Sequence, residues 1–339
     1  MALSYQGLLT AVPVILKAGN VPNIVGEAGI GKSAVVSEVA QRLHAKLFTT
    51  VVSLSEKGDL AIPVPPLTSE SFIQTKAYGQ LADVQFGYMH TLIEIIQTAE
   101  AHPEQPILWL LDEFNRGTQA VQSELMNLVL QRTINTLKLP PQVQLILAEN
   151  PDASMSGFEM STYGVVAGDA AIKDRTVRLV MRADAGDWLK WAATLNSVTQ
   201  RPNIHPLVQQ FIGEDVTRLN QTDEQADLVA TPRAWARVSA NLFELEKLPL
   251  AAREQVALDI FQGDVGQTLG SVFEQYLEQH ANHLTPAMIY DAQPAGPSVP
   301  TAQQAQFQAM SEPQKAAILL SCLRVTSQYP LVDESNAGR

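Results

Sequence analysis

Apolar residues along this chain fall into two kinds of run. Short runs alternate with longer stretches in which the apolar positions recur every three or four residues. Val21 to Val25 is the first short run and predicts a buried strand; Ala34 to Leu43 follows with Val35, Val36, Val39, Ala40 and Leu43 at helical spacing. Leu47 to Ser53 is β-branched and predicts a second strand, and Tyr88 to Ala99 a helix through Leu92, Ile93, Ile95 and Ile96. Ile107 to Leu111 is a continuous apolar strand. The helix after it carries Val121, Leu125, Leu128 and Val129 on one side, with Thr118 placed to cap it. Pro140-Pro141 turns into a strand at Val143 to Ala148, and a short helix at Asp169 to Lys173 leads to a fifth strand at Thr176 to Met181. Strands alternating with helices predict an α/β fold, a five-stranded parallel sheet with helices on both faces.

After Arg182 the strand signals stop. Asp187 to Leu195, Pro206 to Ile212, Pro232 to Leu245 and the stretch from Ala251 to Glu278 all predict helices. The expected organisation is therefore an α/β core over residues 1–182 and an all-helical lid over 183–282. A linker and helical tail follow over 283–339, with three prolines between Gln293 and Pro300 and an amphipathic helix at Pro313 to Val325. Within the core, residues 54–87 break into turns and prolines (Pro63, Pro65, Pro66) and are expected to form a long functional or mobile loop.

The turn between the first strand and its helix reads Gly26-Glu27-Ala28-Gly29-Ile30-Gly31-Lys32-Ser33, a complete G-x-x-x-x-G-K-[ST] phosphate loop. Its glycines let the backbone wrap phosphates with the N–H groups turned inward, and the helix N-terminus adds partial positive charge. Lys32 is placed to reach the β- and γ-phosphates and the Ser33 hydroxyl to ligate Mg²⁺. These residues predict a nucleoside triphosphate as ligand and do not separate ATP from GTP.

The strand ending Leu111-Asp112-Glu113 supplies the other half of a hydrolysis site. A carboxylate at the C-terminal end of a parallel strand sits beside the phosphate loop. Asp112 is expected to hold Mg²⁺ and Glu113 to polarise the attacking water. Asn150 ends the next strand, where its amide has two uses: bonding the water or γ-phosphate, or capping the turn before Pro151. Lys32 and a metal leave transition-state charge uncompensated, so an arginine is expected among Arg116, Arg175, Arg178, Arg182 and Arg233; spacing alone does not choose.

Composition narrows the partners. Net charge is −12; residues 1–182 hold 13 basic against 17 acidic side chains and the rest 10 against 18, which argues against broad contact with nucleic acid. A hydrophobic fraction of 46% suffices for a core, and no run approaches the roughly 18 apolar residues a membrane span needs. The mildly apolar start, Met1 to Gly19, lacks a basic segment and reads as a helix leading into the core near the nucleotide base. A single cysteine, Cys322, cannot form an internal disulfide, so a cytoplasmic location is expected; it reads as a small buried hydrophobe. His280 and His283 near Glu278 read as a solvated helix end rather than a metal site. Trp188 and Trp191 read as lid core rather than a stacking platform, and Trp109 as sheet core.

Five motifs in order carry a family likeness: Gly26–Ser33, Asp112-Glu113-Phe114-Asn115-Arg116, Asn150, Asp174-Arg175 and Thr231-Pro232-Arg233. Together they resemble the MoxR-like branch of the AAA+ ATPases over roughly residues 5–280. The resemblance implies ATP held between core and lid and between neighbours of a homo-oligomeric ring of six. It makes Asn150 the first sensor, Arg175 the finger entering the next subunit's site and Arg233 the second sensor. Residues 54–87 fall where this branch carries an insert in its second helix, facing the ring's opening, and Asn115-Arg116 implies an inter-subunit contact. The chain has Arg175-Thr176 where members usually have Arg-Phe. The implied client is a protein to be remodelled, often one with a von Willebrand factor type A domain. Two other readings stay open: a DNA-directed AAA+ motor or loader, and a nucleotide-gated structural ring with little hydrolysis.

Overall fold

The computed structural model describes residues 2–65, 71–153, 155, 158, 163, 165, 170–221, 228–280, 289, 301–309, 315, 318, 319 and 322. In chain order the elements of the first half are α1 (Tyr5–Lys17), β1 (Val21–Val25), α2 (Lys32–Arg42), β2 (Lys46–Val51), β3 (Ala61–Val64), β4 (Phe72–Thr75), β5 (Gly79–Ala82), β6 (Gln85–Tyr88) and α3 (His90–Ala101). Then come β7 (Ile107–Asp112), α4 (Gln119–Gln131), β8 (Thr133–Ile134), β9 (Leu137–Lys138), β10 (Val143–Glu149), α5 (Ala170–Arg175) and β11 (Thr176–Val180). The remaining named helices are α6 (Ala185–Ala193), α7 (Pro206–Glu214), α8 (Pro232–Leu245), α9 (Leu250–Val265) and α10 (Gln267–His280).

Five strands form one parallel sheet in the order β11-β1-β10-β7-β2. Side chains alternate across it, as the strand period of two requires. Leu108, Leu110, Ile146 and Ala148 point to one face and pack on α1 and α2 through Leu8, Val12, Val35 and Val39. Trp109, Leu111, Leu145 and Leu147 point to the other and meet Leu92 and Ile95 of α3, Leu125 and Leu128 of α4, and Ile172 of α5. Both faces are covered, which is why β7 is apolar without interruption. Trp109 is fully buried and its indole N–H donates to Thr50 Oγ1 at 3.0 Å.

Because all five strands run the same way, their C-terminal ends share one edge. Register then decides which residues meet there. Val25 lies beside Glu149 and Val51 beside Asp112. The loops that follow β1, β10, β7 and β2 therefore emerge side by side.

Residues 54–87 hold more regular structure than their prolines suggest. β3 pairs antiparallel with β6, and β4 with β5. These ribbons are largely exposed, with Ile62, Ile73, Tyr78 and Leu81 open to solvent. Neither face is consistently buried, so no apolar alternation marks them in the sequence. The helical region has its own core around Phe211, Trp235, Phe261 and Phe273, whose rings meet at 5.0–5.6 Å. The long stretch from Ala251 is two helices. Gly266 (φ +89°) ends α9, and Gly270 lets α10 fold back so closely that a Cβ there would lie 2.6 Å from the Gln262 nitrogen. The predicted linker (293–300) and most of the helix at 313–325 lie outside the described residues. No helix among the described residues is long and apolar enough to cross a membrane.

Candidate active site

The strand edge and the helical region enclose a cleft of about 610 Å³. The phosphate loop forms its floor. Gly29 and Gly31 take positive φ (+80° and +106°), the conformation that turns successive N–H groups inward and that side chains resist. α2 starts directly at Lys32, with no side-chain cap on its N-terminus. Its free N–H groups face the loop, as an anion site needs.

Lys32 bends back over the loop. Its ammonium donates to the carbonyls of Gly26 (2.5 Å) and Glu27 (2.8 Å) and to Asn150 Oδ1 (3.0 Å). Burial pulls its pKa down to about 8, and the Arg233 and Arg116 cations add to this against the opposing pull of Asp112 and Glu113. Asn150 thus accepts from the loop lysine through its side-chain Oδ1. It is also buried and doubly tied by its backbone: Asn115 Nδ2 donates to its carbonyl at 2.7 Å, and its N–H donates to Asn115 Oδ1 at 3.2 Å. Asn115 is therefore an internal brace, 3% exposed, so of the Asn115-Arg116 pair expected at an inter-subunit contact only Arg116, whose side chain is 35% exposed, is open to one.

Ser33 Oγ donates to Asp112 Oδ2 at 2.7 Å, which brings two hard oxygen ligands to one point. That donor chemistry suits Mg²⁺. Glu113, one residue on, sits in the left-handed region (φ 53°), so its carboxylate leaves the sheet edge for the cleft. Ser53 donates to one of its oxygens at 2.5 Å and Arg116 lies 3.5 Å from the other. Arg116 also lies over the Tyr163 ring, 5.9 Å from its centroid, and the Tyr163 hydroxyl accepts the Ala28 N–H at 3.0 Å.

The helical region reaches the loop from above. The Arg233 N–H donates to the Gly29 carbonyl (3.1 Å), and Thr231 Oγ1 occupies the space a Gly29 Cβ would need. Arg233 lines the cleft, as do Arg182, Trp188 and Trp191. Trp188 is buried in the lid core, but Trp191 is 44% exposed and turned to the cleft, which corrects its reading as core. Tyr5 and Gln6 at the start of α1 also line it, and Tyr5 donates to Glu38 Oε2 at 2.8 Å. Arg175 stands apart. Its side chain is 62% exposed, 3.8 Å from Asp174, and does not line the cleft of its own chain.

Sequence reading missed Ser53, Tyr5 and Tyr163. None belongs to a motif; each is brought in by register or by packing between distant elements. His280 stacks on Tyr276 at 3.8 Å, with Nδ1 2.7 Å from the Tyr276 carbonyl, and His283 lies outside the described residues. Among the described residues no cluster of three or more His, Cys, Asp or Glu could hold a metal ion.

No protein-family model matches the chain, and no curated protein sequence does either. Solved structures similar to it include two variants of RuvB from Thermotoga maritima, each 13% identical. One has a TM-score of 0.40 over 80% of this chain and 68% of its own. The other has a TM-score of 0.41 over 94% and 85%. NtrX from Brucella abortus in complex with ADP is also 13% identical, with a TM-score of 0.35 over 81% of this chain and 67% of that one. At such scores the site has to be read from its own side chains.

Proposed function

We propose that the chain is an ATP-hydrolysing AAA+ protein of the MoxR-like type. It works as a homo-oligomeric ring of six that remodels or activates a protein client, one bearing a von Willebrand factor type A domain. One observation carries the nucleotide part of this reading: Lys32, Ser33, Asp112, Glu113, Asn150 and Arg233, drawn from four separate segments, line one cleft. A chance glycine-rich turn would not gather them.

In this reading the loop from Gly26 to Ser33 cradles the phosphates, and Lys32 exchanges its carbonyl partners for phosphate oxygens. Ser33 and Asp112 hold Mg²⁺, which when bound neutralises phosphate charge. Glu113 accepts the proton of the attacking water, Asn150 orients that water beside Lys32, and Arg233 brings a lid cation to the γ-phosphate. Arg175, exposed and outside its own cleft, is free to complete a neighbour's site. That role requires the ring; the client rests on the motif likeness alone.

A Glu113→Gln variant tests the core of it. It should bind ATP with near-unchanged affinity and lose at least about a hundredfold in turnover, the scale expected of a general base. Turnover surviving in that variant would sink the assignment. Arg175→Ala should bind ATP but turn over slowly, and mixing it with Glu113→Gln subunits should restore part of the activity by pairing intact half-sites. A protein that stays monomeric with ATP and Mg²⁺ would count against the ring.

A further inference from the structure

Two points of the helical region grip two points of the phosphate loop. One is the pair Thr231 and Arg233 on Gly29. The other is Asn220, at the end of a 3-10 turn (Val216–Asn220), whose Nδ2 donates to Glu27 Oε2 at 2.8 Å. The turn is firmly held: the carbonyl of Arg218 accepts the buried Trp235 indole N–H at 2.8 Å, and Leu219 is buried beside the cleft. The backbone that carries Asn220 cannot move away from Glu27 without disturbing the centre of the lid core.

Glu27 is an awkward residue for its place. A carboxylate on a loop built to receive several phosphate charges opposes them, and burial strengthens the repulsion. Its backbone carbonyl already faces inward, accepting the Lys32 ammonium at 2.8 Å. Its side chain is turned the other way, into Asn220. The other amide atom of Asn220, Oδ1, is buried with no hydrogen-bond partner, a cost set against the bond that Nδ2 gives to Glu27.

We infer that Asn220 is a positioning residue for nucleotide binding: it holds the Glu27 carboxylate against the lid and off the phosphates. Released, that carboxylate contests Lys32, the cation the phosphates need. The inference rests on the proposed binding of a triphosphate by this loop.

The test is a double-mutant cycle on the full chain, titrating a fluorescent non-hydrolysable ATP analogue with Mg²⁺. Asn220→Ala should weaken affinity about tenfold, the scale of a hydrogen bond to a charged group. In a Glu27→Gln background the same substitution should change affinity less than about twofold, because no charge is left to restrain. Equal losses in both backgrounds would make Asn220 an ordinary lid brace and overturn the inference. Asn220→Asp sets a second carboxylate against the first and should bind worse than Asn220→Ala; Glu27→Gln should rescue it, and failure of that rescue also overturns the inference. A wild-type protein as blind to the analogue as Lys32→Ala would instead strike the proposed function itself.

Discussion

The Ser53 hydroxyl donates to Glu113 Oε2 at 2.5 Å across 60 residues of sequence. The bond exists because β2 and β7 are parallel neighbours with Val51 opposite Asp112, so the residues just beyond each strand meet. It ties up the oxygen that a water-activating carboxylate must offer, while Arg116 stands near the other. In the proposed mechanism this arrangement holds Glu113 back from an attacking water. Ser53→Ala removes the restraint without touching the phosphate loop. We expect basal ATP turnover to rise about three- to tenfold with nucleotide affinity unchanged, part of a charged hydrogen bond appearing as rate. Phosphate release at saturating ATP reads it; an unchanged or lower rate would show the serine to be a support instead.

On the proposed reading, Lys32 makes nucleotide binding depend on pH in a definite direction. Its pKa lies near 8 in the protein, lowered mainly by burial. Phosphates stabilise the ammonium, so the bound state holds the proton to higher pH than the free state does. Below about pH 8 both states are protonated and this group adds no slope. Above it, binding must take up a proton, and affinity should fall by up to tenfold per pH unit. For folding the sign is the opposite: the buried ammonium destabilises the free protein below pH 8, and that penalty fades as pH rises toward the 10.5 of an ordinary lysine. Calorimetric titrations from pH 7 to 9.5 would show the slope, and Lys32→Arg, which stays charged, should flatten it.

What could be read in the sequence was what chemistry concentrates in a few consecutive residues. The phosphate loop, Asp112-Glu113 and Asn150 all end strands, and in a parallel sheet the strand ends share an edge. Ser53 was invisible because its role depends on strand order and register, which place β2 beside β7. Asn220 and Thr231 were invisible as loop contacts because lid and loop lie about two hundred residues apart. The ribbons between β3 and β6 escaped for a different reason: exposed on both sides, they leave no periodic apolar trace. Trp191 was misjudged because helical spacing beside Trp188 cannot tell a core-facing indole from one turned to the cleft.

Gly29 should be the most demanding glycine of the loop. Alanine there meets two obstacles: a backbone at φ +80° and Thr231 Oγ1 only 2.7 Å from the new Cβ. Thr231 cannot step aside freely, since its side chain caps α8 by accepting the Ala234 N–H at 3.1 Å. Gly58 offers a control, with φ +97° and nothing within 4 Å of a Cβ. Gly58→Ala should lose about 1 kcal/mol from backbone strain alone. Gly29→Ala should lose about 2–3 kcal/mol and most of its ATP affinity, because loop and lid are pushed apart. Thermal melting compares the two; equal losses would mean that the lid does not press on the loop.

Asn115 and Asn150 exchange two hydrogen bonds while both are almost wholly buried, joining the turn after β7 to the end of β10. Both bonds join the Asn115 carboxamide to the Asn150 backbone, which leaves the Asn150 carboxamide to reach Lys32 through Oδ1 at 3.0 Å. Replacing Asn115 by alanine strands the Asn150 carbonyl and N–H in the interior, at about 1–3 kcal/mol for an unpaired buried group. Stability should fall by that amount. Catalysis should suffer separately, because an Asn150 freed from its brace no longer holds its amide beside the lysine that meets the phosphates. The signature is a drop in kcat of about tenfold or more with KM nearly constant, measured well below the lowered melting temperature. Asn150→Ala should reproduce the kcat loss without adding to it in the double variant, since both substitutions remove one alignment. Additive losses would separate the two residues and leave Asn115 a purely structural tie between neighbouring strands.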